Sequence, residues 1–176
     1  MHFTDPQLLA YTAGELFAVF VRFLHVLSGI FWVGLLYFFN VVNVQTMKAL
    51  DATTKGKVVP VLMPRALAWF RYAALATWVF GLLLLFDPVL YQSPRLWNWK
   101  IVLGAVLGTI MFLNVWAFIW PNQKKVIALT KASAEGGTAP PPEMAKYARV
   151  AYLASRTNYW LSFPMLLGMI FGSHAR

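Results

Sequence analysis

The chain has 176 residues, of which 60% are apolar and 12% are charged, and its formal net charge is +9. With a mean hydropathy of +0.61, this composition excludes a disordered protein and is atypical of a soluble enzyme, in which about a quarter of the residues are charged. The basic residues flank long apolar runs instead of forming one face, so nucleic acid is not an expected partner. Since there is no cysteine, the sequence has no disulfide and no Cys-x-x-Cys-His motif for a c-type haem. We therefore interpret the chain as an integral membrane protein in contact with lipid.

Four apolar stretches have the roughly 20 residues that a membrane-crossing helix needs. In chain order they cover about residues 16–39, 66–86, 100–120 and 150–172. The predicted fold is all-α, an integral membrane bundle of four transmembrane helices that forms a single domain over residues 1–176. Asp87-Pro88 and Pro121-Asn122 are predicted to end the second and third helices.

The connections between these helices predict the orientation. Residues 131–143 contain a Gly-Gly pair and three prolines, which predicts a flexible loop. The whole connection between the third and fourth helices and the one between the first two together contain nine basic residues: Lys48, Lys55, Lys57, Arg65, Lys124, Lys125, Lys131, Lys146 and Arg149. The opposite side has three, which are Arg95, Lys100 and Arg176. Because basic loops remain cytoplasmic, we expect a multi-pass protein of the bacterial inner membrane with both termini in the periplasm.

Small residues recur at four-residue spacing in three of the predicted helices, a pattern typical of closely packed membrane helices. The series are Ala73, Thr77 and Gly81 in the second helix, Gly104 and Gly108 in the third, and Gly168 and Gly172 in the fourth. They predict a tight bundle. Pro164 is expected to kink the fourth helix.

His25 lies inside the first predicted helix, about 13 Å inward from Leu16 at 1.5 Å per residue. An ionisable residue is costly at this depth and is a functional candidate. Arg22, Gly29 and Trp32 share its helical face. One interpretation is half of a haem b site, in which the imidazole binds iron, Gly29 admits the macrocycle and Arg22 meets a propionate. The alternative is a neutral histidine hydrogen-bonded to a carbonyl on a neighbouring helix.

The second axial ligand is harder to identify. His174 lies just past the fourth helix, on the same side of the membrane as His25. It is predicted as the second iron ligand, provided that the fourth helix lies deeper in the membrane than residues 150–172 imply, or that the haem is tilted. Met111, Met165 and Met169 are further candidates, although methionine in a membrane helix usually serves packing.

A second polar layer lies toward the cytoplasmic ends of the helices. It contains Arg71, Asn114, Arg156 and Asn158, together with Asn40 and Asn43. One interpretation is that the two arginines clamp an anionic or quinone-like ligand. The alternative is that the arginines extend to the membrane interface and the asparagines form interhelical hydrogen bonds.

Several motifs resemble the membrane domain of bacterial urate oxidases that carry a fused cytochrome c. The matching segments are FLHVLSGIFWVG at residues 23–34, GAVLGTIM at 104–111, and Asn158-Tyr159 followed by Pro164 and His174. Their order and spacing agree over most of residues 20–174. The spacing of His25, Trp32 and Gly34 is also similar to that of the HemJ-type membrane haem proteins. This sequence lacks the family's cytochrome c domain, and Arg156 stands where the family has a histidine.

The resemblance implies a membrane fold linked to periplasmic electron transfer. We therefore predict a membrane subunit of such a system that binds haem b, with a periplasmic cytochrome c or a larger membrane complex as partner. One alternative is a cofactor-free structural subunit of a respiratory or photosynthetic complex. The other is the membrane component of a urate-oxidising system. The residues assign no catalytic role.

Overall fold

Residues 13–86 and 98–174 are described by the computed structural model of the chain, apart from the side chain of His174. They form six α-helices and two π-helical turns and contain no strand, so the predicted all-α fold is confirmed for this part. The helices are α1 (Ala13–Tyr37), α2 (Val44–Ala49), α3 (Ala52–Phe86), α4 (Trp99–Asn114), α5 (Trp120–Gly136) and α6 (Pro142–His174). The π-helical turns are π1 (Phe38–Asn43), which joins α1 to α2, and π2 (Val115–Ile119), which joins α4 to α5. The predicted break at Asp87-Pro88 lies outside the described residues, as do Arg95 and Arg176.

The helices are longer than the apolar stretches that predicted them. The helical rods Ala13–Ala49, Ala52–Phe86 and Trp99–Gly136 have 37, 35 and 38 residues. Pro121 was expected to end the third helix, with short helical extensions over residues 122–132 and 143–149. The extensions are confirmed as helix, but the end at Pro121 is wrong. Pro121 lies in the first turn of α5, directly after π2, where a missing backbone N–H is tolerated. The helix continues to Gly136 and ends at Gly137, which has a φ of 62°.

This extension shortens the connection before α6. Only residues 137–141 are non-helical there, whereas the sequence predicted a loop over 131–143. Helix α3 also begins before its predicted range, at Ala52. Asp51 caps this start by accepting a hydrogen bond from Thr54 N at 3.0 Å. The flexibility of the shorter connection stays a prediction.

Three helical rods within the described residues are long and apolar enough to cross a membrane. The sequence predicted four, with the fourth at residues 150–172. Helix α6 covers that range with 33 residues, but it is not apolar enough to count as a fourth candidate membrane span. Its polar residues, among them Asn158 and Ser162, explain the difference. The length and composition of three helical rods therefore indicate a membrane-spanning helical protein, whereas a fourth crossing by α6 needs a further argument.

The rods are arranged as two antiparallel helical hairpins, α1 with α3 and α4 with α6, and α5 packs against both α3 and α6. Glycines bring α4 and α6 together, as predicted. A Cβ on Gly168 would lie 2.8 Å from the Lys100 carbonyl oxygen, and one on Gly172 would lie 2.5 Å from Ile101. Gly108 is less crowded, since its nearest neighbour, Met165, would be 4.0 Å away. Backbones in this hairpin are therefore in direct contact.

The two hairpins meet around one apolar core. Its most enclosed members include Trp32, Leu36, Phe70, Met111 and Val115. Polar contacts join the same hairpins, since Asn40 Nδ2 donates to Ser155 Oγ at 2.8 Å and Tyr37 and Ser162 share a hydroxyl hydrogen bond at 3.1 Å.

Candidate functional site

The imidazole of His25 is held against α3. Its Nδ1 lies 2.8 Å from the Thr77 carbonyl oxygen, and because a carbonyl only accepts, Nδ1 carries the proton. The ring edge lies over Gly81, where a Cβ would be 3.0 Å from Cε1. Nε2 has no hydrogen-bond partner among the described residues, nor is it one of the enclosed unpaired atoms. This is the contact that the alternative interpretation predicted, a neutral histidine bonded to a carbonyl on a neighbouring helix. It leaves a lone pair on Nε2 that a metal can accept.

The three residues that share the His25 face have different surroundings. Gly29 faces α3, since its Cβ would lie 3.7 Å from the Thr77 methyl group. Trp32 is only 2% exposed and belongs to the core. Gly29 and Trp32 therefore both contact other parts of the protein, and their predicted place beside a macrocycle stays a prediction. Arg22 is exposed on α1.

Helix register places His174 away from His25. The contact of His25 with Thr77, the hydrogen bond from Trp78 Nε1 to Thr109 at 3.2 Å and the approach of Gly108 to Met165 define one level of the bundle. His174 is nine residues beyond Met165 on α6, or about 13 Å along the helix. Its side chain lies outside the described part, so its role stays a prediction.

The three methionines proposed as alternative ligands are packed differently. Met111 and Met165 are buried in the core, and Met169 lies against Gly104. Of the three, Met165 is therefore the methionine at the same height along the bundle as His25. In the described ranges no group of three or more histidine and acidic side chains is placed to hold a metal ion.

Asn114 on α4 and Asn158 on α6 form an interhelical hydrogen bond. Asn114 Nδ2 donates to Asn158 Oδ1 at 2.8 Å and to the Ala154 carbonyl at 2.9 Å. Asn158 Nδ2 donates to the Met111 carbonyl at 2.9 Å. Asn158 is fully buried, so these contacts satisfy it within the protein. Of the two interpretations, the interhelical hydrogen bond describes this pair.

Arg71 lies in an aromatic cluster. Its guanidinium carbon is 3.9 Å from the ring centroid of Trp120, 4.6 Å from that of Tyr72 and 5.4 Å from that of Trp116. Arg71 Nε and Trp116 Nε1 are enclosed and have no hydrogen-bond partner within the described residues. Leaving such a donor unpaired costs about 1–3 kcal/mol. The cluster therefore holds a positive charge together with two unpaired donors that the protein encloses.

Arg156 has a different environment. Its guanidinium carbon lies 5.0 Å from the ring of Tyr159 and 5.8 Å from that of Trp160, both on its own helix. It shares no aromatic neighbour with Arg71. The ring contacts thus give the two arginines separate surroundings, and their predicted role as a clamp for one ligand stays a prediction.

Two features were missed from the sequence. Thr77 and Gly81 were recognised only as small packing residues. Their four-residue spacing is the sequence feature that indicates where the imidazole of His25 packs on α3. Trp116 and Trp120 were not connected with Arg71, although both lie near the end of the third apolar stretch, which covers residues 100–120.

Comparison with known proteins gives two partial matches. Residues 98–175 match the family described as urate oxidase N-terminal. The chain is also 30% identical over 100 residues to a protoporphyrinogen IX oxidase of Cereibacter sphaeroides. That alignment covers 56% of this chain and 59% of the relative, so the chain spans about three-fifths of the length of the curated relative it matches. No solved structure matches the chain.

The family match falls on one hairpin. Residues 98–175 include α4, α5 and α6, so the expected resemblance over residues 20–174 is confirmed only for its second part. His25 lies outside the matched range. A fused cytochrome c is not part of what either match describes.

Proposed function

We propose that the chain is an integral membrane protein that binds haem b through His25 and takes part in electron transfer. The observation that carries this proposal is the hydrogen bond from His25 Nδ1 to the Thr77 carbonyl. It fixes the tautomer in which Nε2 is the free ligand atom, as is usual for metal-bound histidines. Histidine is also a standard axial ligand of haem iron.

Helix α3 orients the ligand at two points. The Thr77 carbonyl sets the rotation of the ring, and Gly81 leaves the space that its edge occupies. The hydrogen bond on Nδ1 also makes Nε2 a more basic ligand. We assign a propionate contact to the exposed Arg22, three residues before His25. When bound, the haem supplies a one-electron redox centre.

For the second axial position we propose Met165 in place of His174. Met165 lies at the level of His25 by helix register, whereas His174 lies about 13 Å farther along α6. Met165→Leu should then shift the absorption bands of the reduced protein, and His174→Ala should leave them unchanged. The reverse pattern would favour His174.

A second candidate function is the oxidation of a porphyrinogen. It is favoured by the similarity to a protein named protoporphyrinogen IX oxidase. The substrate in that name and haem b are both tetrapyrroles, so one macrocycle site in the membrane suits either role. Purified protein supplied with protoporphyrinogen IX would reveal this activity by the fluorescence of the porphyrin formed, measured against a His25→Ala control.

We also propose that α6 crosses the membrane as the fourth helix. Gly168 and Gly172 hold it against the start of α4, and Asn158 holds it against the end of α4. A helix in contact along the whole of α4 shares its depth. The distribution of lysine and arginine supports an inner membrane location with periplasmic termini, and such an orientation suits a periplasmic cytochrome or a larger membrane complex as partner.

The visible spectrum of the protein, expressed with added haem precursor and purified in mild detergent, tests the proposal. We expect a Soret band and reduced b-type bands that His25→Ala abolishes. His25→Gln should not restore them, because an amide is a poor iron ligand. Gly34→Ala is the matched control on the same helix, since a Cβ there meets no atom within 4 Å. A wild-type protein with no Soret band would refute haem binding and favour a cofactor-free structural subunit.

A further inference from the structure

The aromatic cluster of Arg71, Tyr72, Trp116 and Trp120 is not used by the proposed haem site. We propose that it binds the phosphate group of an anionic phospholipid, in the leaflet at the basic end of the bundle. The basic end is the end formed by α2, α5 and the first turns of α3 and α6, where the lysines of both long connections lie. This proposal does not depend on haem binding.

The chemistry of the cluster selects an anion. Arg71 Nε and Trp116 Nε1 are enclosed N–H donors without acceptors in the described part of the chain. Arg71 forms no ion pair with a described carboxylate. Its guanidinium stacks 3.9 Å from the centroid of the Trp120 ring, which fixes the side chain without neutralising it. Arginine in such a pre-organised position recognises phosphate oxygens through paired N–H donors.

The depth of the cluster in the membrane favours a lipid headgroup as the source of the phosphate. The stretch from Trp99 to Trp120 is about 32 Å long at 1.5 Å per residue, close to the roughly 30 Å thickness of the hydrocarbon layer. Trp120 therefore lies at the interface, the level that tryptophan prefers. The guanidinium against its ring lies at the same level, where lipid phosphates are found. Basic residues around this end add a general attraction for anionic lipid.

The test compares lipid binding to delipidated protein in non-ionic detergent, measured by native mass spectrometry. Wild type should bind phosphatidylglycerol more tightly than phosphatidylcholine, whose phosphate is neutralised within its own headgroup. Arg71→Leu should weaken binding of phosphatidylglycerol by at least about tenfold. A tenfold change corresponds to about 1.4 kcal/mol, just below what a hydrogen bond to a charged group contributes. Trp116→Phe, which keeps the ring and removes one donor, should weaken binding less.

Arg65→Leu is the matched control. Arg65 lies on the same helix, is exposed and donates to its own helix at the Val61 carbonyl. It should keep the wild-type preference. If Arg71→Leu does not fold, Trp116→Phe carries the test. The proposal is overturned if both variants bind phosphatidylglycerol like wild type, or if Arg65→Leu weakens binding as much as Arg71→Leu does. Displacement of the lipid by inorganic phosphate, or by a short-chain quinone, would overturn the lipid assignment.

Discussion

Replacing Gly81 with alanine perturbs the contact between His25 and α3. The new Cβ would lie 3.0 Å from Cε1 and 3.2 Å from Nδ1, whereas carbon atoms pack at about 3.5–4.0 Å. The imidazole must therefore move by about 0.5 Å or more. This shift lengthens the hydrogen bond to the Thr77 carbonyl from 2.8 Å to the end of the usual range, about 3.2 Å.

Two opposing terms determine the stability of Gly81→Ala. Weakening the hydrogen bond costs about 0.5–1.5 kcal/mol, and alanine in a helix is favoured over glycine by about 1 kcal/mol. The net change is close to zero, so this variant alone is uninformative. Gly34→Ala has the same propensity gain and no neighbour within 4 Å. We therefore expect Gly34→Ala to be about 0.5–1.5 kcal/mol more stable than Gly81→Ala.

Equilibrium unfolding in detergent measures this difference, and nitrogen NMR of labelled histidine reports the hydrogen bond itself. The resonance lost in His25→Ala identifies His25. In wild type it should show a protonated Nδ1 and an unprotonated Nε2, and Gly81→Ala should shift both. The reasoning is refuted if Gly81→Ala keeps the wild-type resonances and is as stable as Gly34→Ala.

Three further predictions concern packing, pH and topology. Gly168→Ala should be about 1–3 kcal/mol less stable than Gly108→Ala in the same unfolding assay, because its Cβ meets a backbone oxygen of Lys100 that cannot turn aside; equal stabilities would contradict it. The Thr54 hydroxyl and backbone N–H lower the pKa of Asp51, so its stabilisation of the start of α3 is present above about pH 3.9 and is lost as pH falls through the lowered pKa. The protection factors of the amides in that turn, which correct for the pH dependence of intrinsic exchange, should then fall at low pH in wild type but not in Asp51→Asn. A reporter fused to the C-terminus should read periplasmic, and a cytoplasmic signal would reverse the orientation.

The helical fold could be predicted from apolar length, but the helix ends could not. Helix α3 extends past its apolar stretch, into sequence with lysine and proline. Helix α5 forms the helical extension expected over residues 122–132 but continues directly from the apolar helix before it. They persist because α3 packs against α5, with Gly56 against Ala134. Such tertiary contact overrides local propensity. Pro60 and Pro64 lie inside α3, although proline in a sequence is read as a helix boundary.

The candidate histidine could be predicted, but its partner could not. His25 is conspicuous because an ionisable residue is rare in an apolar stretch. Its acceptor is a backbone carbonyl, which every residue has, so only the register of α1 against α3 identifies Thr77. For the same reason Gly29 was assigned to a macrocycle, whereas the structure places it against the methyl group of Thr77.

The two hairpins differ in how completely their polar groups are paired. In the hairpin of α4 and α6, which carries the family match, Asn114 and Asn158 satisfy each other and nearby carbonyls. Four of the five enclosed unpaired atoms in the described residues belong instead to the first half of the chain, on Trp32, Asn40, Asn43 and Arg71. Because buried polar groups are normally paired, unpaired ones point to ligands or bound water. The half outside the family match is therefore where ligand binding should be sought first, and it is the half that contains His25.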